Sequence, residues 1–212
     1  MNQNNSKSIA RQQGFTLVEL GISMVLIASM VLAGFYIIKR IRTDAAINAA
    51  IASTTISLNQ ANAGFAGMTT TTGANLTTLA AMNIWPKERL VKSTNASGVT
   101  AVDKVMGQFS GSEEMMWANT TVTPVGTFVY HLWNIPQEAC MPLIKNLAAH
   151  PNTLTIYAGA HSETKPPSGG IGHIYSDGIK VKAGTGALSL TNAGTACNKG
   201  NSIDIAIEFD KS

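Results

Sequence analysis

One feature limits the fold before any other: an apolar run from Phe15 to Ile38, introduced by Gln13-Gly14-Phe15-Thr16-Leu17-Val18-Glu19-Leu20. As a helix these residues extend roughly 36 Å, against roughly 30 Å of bilayer hydrocarbon. The run is Leu, Ile, Val, Met and Ala with small interruptions at Gly21, Ser23, Ser29 and Gly34. A spanning helix tolerates these because it satisfies its own backbone. Glu19 is the one charged side chain within the run. A carboxylate inside lipid is costly and calls for a cation or a proton.

Glycine, phenylalanine and glutamate at the spacing Gly14-Phe15-Thr16-Leu17-Val18-Glu19, ahead of an apolar helix, resemble the processing site of type IV pilins and the related pseudopilins. The resemblance implies that a membrane-embedded prepilin peptidase removes the leader after Gly14 and N-methylates Phe15. It also implies that Glu19 is the assembly carboxylate, pairing with the terminal amine of a neighbouring copy. The new amine would lie one turn from Glu19 on its own helix end, where it is poorly placed. An axially shifted neighbour presents its amine better, in a low-dielectric setting where the pair counts for more than in water. The implied partners are copies of the chain in a helical filament, the peptidase, the inner-membrane pilus assembly machinery, and the membrane before assembly.

Other readings of the run fit less well. A secretory signal peptide has a shorter apolar core, and its cleavage site follows that core rather than preceding it. An ordinary single-pass anchor leaves Glu19 unexplained. Lys7 and Arg11 precede the span while Lys39, Arg40 and Arg42 follow it, so positive charge does not decide orientation. The pilin resemblance places the leader, residues 1–14, in the cytoplasm and the bulk of the chain outside.

After Ile38 the helical pattern continues without proline. Ile41, Ala45, Ile47, Ile51, Ala52, Ile56 and Leu58 keep a rough helical spacing between polar Thr43, Asp44, Asn48, Thr55 and Asn59. One spine helix over residues 15–63 is expected, with 15–38 as its membrane and assembly segment. Gly34 is a candidate point of local bending or melting; a plain lipid-facing glycine is the alternative. The remainder, residues 64–212, is long enough for one domain with a core.

Within that domain Leu76 to Met82 reads as a short helix capped by Asn75 and closed by Pro86. Weak strand patterns occupy Gly98 to Gln108 and Thr120 to Thr123, and a firmer one Thr127 to Trp133, with Phe128, Tyr130 and Leu132 on one face. Asn134 is placed to cap a helix beginning near Pro136 and carrying Cys140, Leu143, Ile144 and Leu147, an assignment that Pro142 weakens. Thr153 to Tyr157 follows as a strand, then a loop at Pro166 to Gly170, and a hairpin over Ile171 to Lys182 turning at Asp177-Gly178. Ile203 to Asp210 alternates cleanly, predicting a strand with Ile203, Ile205, Ile207 and Phe209 inward.

Cys140 and Cys197 are the two cysteines. Outside the cytoplasm, where the resemblance places them, an even count argues for one disulfide. It would tie the helix after Asn134 to the loop before the last strand; two buried free thiols are the alternative. Type IV pilins commonly close their C-terminal region this way. The wide spacing, sizeable domain and longer leader resemble the type IVb subgroup, whereas Phe15 is more typical of type IVa.

Enzyme chemistry finds little support. His131, His150, His161 and His173 have no cysteine or carboxylate at metal-ligand spacing. Glu113 and Glu114 follow Ser110-Gly111-Ser112 and read as exposed loop acids able to hold a cation loosely, and Gly169-Gly170-Ile171-Gly172 lacks the lysine of a phosphate loop. A formal net charge of +3 is too weak to argue for nucleic acid. No cofactor or metal is implied. The expected fold is therefore α+β, a long N-terminal helix packed on a C-terminal antiparallel sheet, as in pilins. The expected role is a non-enzymatic major pilin subunit, held in the inner membrane before assembly and in an extracellular pilus after it. A pseudopilin of a type II secretion system, a minor pilin, and a membrane-anchored domain carrying the motif by coincidence are the alternatives.

Overall fold

A computed structural model describes residues 16–66, 75–118, 127–162, 178–184 and 186–210. The chain divides into two compact units, Met1–Arg42 and Thr43–Ser212, with the boundary inside one helix. That helix, α1, runs unbroken over Leu17–Phe65. Gly34 neither ends nor melts it: the backbone ladder carries on through a residue whose helical cost is only about 1 kcal/mol.

The second unit adds α2 (Leu76–Ala81), a 3-10 turn (Lys87–Arg89), and strands β1 (Leu90–Thr94), β2 (Thr100–Met106), β3 (Glu113–Ala118) and β4 (Thr127–Pro136). Then come α3 (Gln137–Ala149), β5 (Thr153–Ala160), β6 (Ile179–Ala183), α4 (Leu190–Cys197) and β7 (Ser202–Asp210). The seven strands form one antiparallel sheet in the order β1-β2-β3-β4-β7-β5-β6. β7 thus lies between β4 and β5, with Tyr130 opposite Ile207 on one side and Ile156 opposite Ile207 on the other. At the β6 edge, the Ser189 N–H and the Asn192 side chain donate to the carbonyls of Val181 and Lys180 at 2.8 and 2.9 Å. These bonds cover an edge that would otherwise be open to pairing.

Alternation in β4 and β7 sends Phe128, Tyr130, Leu132, Ile203, Ile205, Ile207 and Phe209 into one core. The C-terminal part of α1 meets it through Ile47, Ala50, Thr54, Ser57, Leu58, Ala61 and Phe65, spaced three and four apart as one helical face requires. Phe65 and Phe209 both pack on Phe128, with ring centroids 4.4 and 5.5 Å from it. The opposite face of the sheet carries Val129 and Ala206, with Trp117 and Tyr157 packed on them.

A charged network crosses the core beside this helix. Arg89 donates to Ser53 of α1, to the Met106 carbonyl at 2.7 Å and to Glu114, while the Tyr130 hydroxyl donates to the other Glu114 oxygen. Burial, and then the charge of Glu114, push the Tyr130 hydroxyl well above the ordinary tyrosine range, so it stays a donor. Glu113 and Glu114 are therefore strand residues of β3 rather than loop acids. The cations they hold belong to the chain: Lys104 at 3.0 Å for Glu113, and Arg89 for Glu114.

Several local expectations change in the fold. Asn134 does not cap α3; it takes a left-handed φ of 56° at an irregularity between Leu132 and Ile135, where its N–H donates to Asp204 at 2.9 Å. The N-cap position of α3 falls instead on Pro136, which makes no side-chain cap. Pro142 sits inside α3; the helix holds because Ala139, Cys140, Leu143, Ile144 and Leu147 bury one continuous face. β1 was not foreseen from the sequence, and the span between the predicted loop and the last strand contains α4, capped by the Ser189 hydroxyl. The Thr120–Thr123 pattern, the loop at 166–170 and the hairpin turn at Asp177 lie outside the described residues.

Candidate functional site

The candidate site is the surface of α1 from its first turn to Arg42. Thr16 and Glu19 form a reciprocal cap there. The Glu19 N–H donates to the Thr16 hydroxyl at 3.3 Å, while the Thr16 N–H and O–H both donate to Glu19 Oε2 at 3.0 Å. This is the Ser/Thr-x-x-Glu capping box, which satisfies orphan donors of the first turn. Besides being a charge in an apolar run, Glu19 is thus a capping acceptor of its own helix. The signal for its second role, a threonine three residues ahead of a glutamate at a helix start, was present in Thr16-Leu17-Val18-Glu19.

Polar side chains farther along are satisfied by their own helix. Ser23 donates to the Glu19 carbonyl at 2.8 Å and Ser29 to the Leu26 carbonyl at 2.7 Å, the back-bonding that lets hydroxyls sit in an apolar surround. No side chain packs where a Cβ on Gly21 or Gly34 would stand. From Leu17 to Ile41 the large apolar side chains are exposed, Leu17 at 88% and Phe35 at 68%. This is the one helix among the described residues long and apolar enough to cross a membrane. So wide an apolar surface marks an interaction site, since soluble monomers rarely present one. Chemically the surface can do two things: dissolve in lipid, or pack against other helices.

Gly14 and Phe15 lie outside the described residues. Cys140 and Cys197 are joined in a disulfide with Cα atoms 5.7 Å apart. The bond links α3 to the last residue of α4 rather than to a loop, and both cysteines are buried against the sheet.

The histidines are dispersed. His131 is buried on the far sheet face between Trp117 and Trp133, with ring centroids 5.9 and 5.1 Å away. His150 ends α3 and meets Asn59 of α1 at 3.3 Å. Burial, and then the charge of Lys182, lower its pKa. His161 and Asp204 are far apart in sequence, yet in the fold they meet at 2.8 Å. Asp204 also accepts the N–H groups of Asn134 and Ser162, so it pins the β4 irregularity. His173 lies outside the described residues. Among the described residues no three His, Cys, Asp or Glu side chains converge on a point that would hold a metal.

No family model matches the sequence, and no curated protein matches it. Among solved structures, the chain is similar to the crystal structure of a type IVb pilin from Salmonella typhi, at 13% identity and a TM-score of 0.50, covering 77% of this chain and 99% of that one. The long helix and the antiparallel sheet are thus a pilin fold.

Proposed function

We propose that this chain is a prepilin whose mature form is the structural, non-enzymatic subunit of a type IV pilus. In this reading residues 1–14 are a leader removed after Gly14, Phe15 becomes the N-methylated first residue, residues 15–63 are the spine with 15–38 in the membrane, and residues 64–212 form the globular domain. The observation that carries it is the exposed apolar surface of α1 from Leu17 onward, on a helix whose later residues belong to a pilin-fold domain. Leaving lipid, that surface buries itself against the same surface of other copies, so apolar packing holds the filament and Glu19 sets the axial register. Glu19 begins with its own local partner, Thr16, and meeting a neighbour's amine would add a charge to that arrangement or replace part of it. Contact with other surfaces, in adhesion or aggregation, falls to the globular domain.

The test is the intact mass and N-terminal sequence of the chain from its native envelope, with sheared surface material compared against membranes. A chain starting at N-methylated Phe15 and abundant in the sheared fraction is expected. Maturation at Phe15 without sheared filaments would reassign the chain as a pseudopilin or minor pilin. An intact Met1-initiated chain, in cells with an active prepilin peptidase, would sink the reading.

A further inference from the structure

The second unit contains a pocket that the filament reading does not use. Its volume is about 520 Å³, and it opens between α2, the 3-10 turn and the β1–β2 hairpin. That size falls within the range of small-molecule sites. Thr77, Asn83, Lys87, Lys92 and Thr100 supply its polar wall, and Ala80, Leu90 and Val102 its apolar wall. Among the described residues no carboxylate lines it.

The polar wall is donor-rich. Lys87, Arg89 and Lys92 are three cations within six residues, yet they are employed differently. Arg89 turns inward to Glu114, while Lys87 and Lys92 form no salt bridge among the described residues and line the pocket. The Thr77 hydroxyl accepts the Val102 N–H at 3.2 Å, which leaves its own hydrogen to donate. Asn83 holds a left-handed φ of 58° just after α2 and is one of the residues lining the pocket. Two ammonium groups, hydroxyls and an amide beside a small apolar wall complement a ligand that has a carboxylate, several acceptor oxygens and one less polar face.

We propose that this pocket binds an acidic saccharide, a carboxylated pyranose whose carboxylate lies between Lys87 and Lys92 and whose ring packs on Leu90 and Val102. A bare phosphate would use the lysines and some of the neutral donors, but not the apolar wall. Every residue in the assignment belongs to the globular unit, so binding is read on the unassembled chain.

Calorimetric titration of the full chain in lipid nanodiscs tests it, with 3′-sialyllactose and digalacturonate as probes, lactose as the neutral control and inorganic phosphate as the bare anion. At least one acidic sugar should bind at least about tenfold more tightly than lactose or phosphate. The Lys87→Glu/Lys92→Glu variant should lose at least about tenfold in affinity for it, with unchanged circular dichroism, and the milder Lys87→Gln/Lys92→Gln variant should fall between. Failure of both acidic sugars to bind below about 10 mM, phosphate binding as tightly as the sugar, or full affinity in both lysine variants would each overturn the proposal.

Discussion

The two parts of α1 are one helix with opposite surfaces. Up to Arg42 its large apolar side chains point outward in every direction: Leu26 is 53% exposed. From Ile47 to Phe65 most of the large apolar residues gather on one buried stripe, on which Leu58 is fully buried, and Ile56 is the large apolar side chain left outside it. The later part has a sheet of its own chain to cover its stripe. Among the described residues nothing buries the large apolar side chains of the earlier part. The contrast shows that what a helix does follows from how widely its apolar positions are spread around the axis, more than from how apolar it is on average.

Four perturbations break or sharpen this contrast. Replacing both cysteines, Cys140→Ser/Cys197→Ser, opens a loop with a sequence separation of 57. It should lower the unfolding free energy of the globular unit by about 4 kcal/mol. Urea unfolding followed by tryptophan fluorescence reads that loss, while helicity up to Arg42 in nanodiscs stays intact; a helix that melts along its whole length would mean the two parts are not separable. Next, Leu58→Ala should cost about 3 kcal/mol in the same assay, against less than about 0.5 kcal/mol for Leu26→Ala. If the proposed filament role holds, Leu26→Ala should instead reduce filament yield, and equal unfolding losses in the two variants would erase the distinction.

The third perturbation is pH. His150, against Asn59 on the buried part of α1, has its pKa lowered from 6.5 by burial and then by Lys182. The unfolded chain therefore binds this proton more readily than the folded one, and the stability present above pH 6.5 declines as pH falls below that value. His150→Gln should flatten this decline in the urea midpoint, and parallel curves for the two proteins would exclude the contribution. Smallest and most local is Thr16→Ala. Losing the cap should speed amide exchange at Glu19 about fivefold, the equivalent of about 1 kcal/mol, with no change in the globular unit.

Elements whose pattern comes from local geometry could be read directly from the chain. α1 and β7 are of this kind: an uninterrupted helical run and the alternation Ile203, Ile205, Ile207, Phe209 leave few other arrangements. α2 followed from Asn75, whose side chain accepts the N–H groups of Thr77 and Thr78. What stayed hidden was set by distant partners. Glu114 is buried in β3 only because Arg89 and Tyr130 arrive to meet it, and Asn134 is drawn away from capping by Asp204, 70 residues along the chain. α4 was masked by its Thr, Asn and Gly content, although Ser189 and the buried Ala193, Ala196 and Cys197 form a cap and a face. At the candidate site, the apolar surface and Glu19 were plain in the sequence. The part of Thr16 is less plain, because the charge of Glu19 in an apolar run hides its second capacity as a local acceptor.

The position of β7 has a consequence for the order in which the molecule comes together. It is the last strand along the chain and the one that joins β1-β2-β3-β4 to β5-β6. Until Ser202 to Asp210 pair, β4 and β5 each lack the neighbour that completes their hydrogen bonding. Those nine residues close the fold like a keystone, so an intermediate stalled short of them exposes two sticky edges.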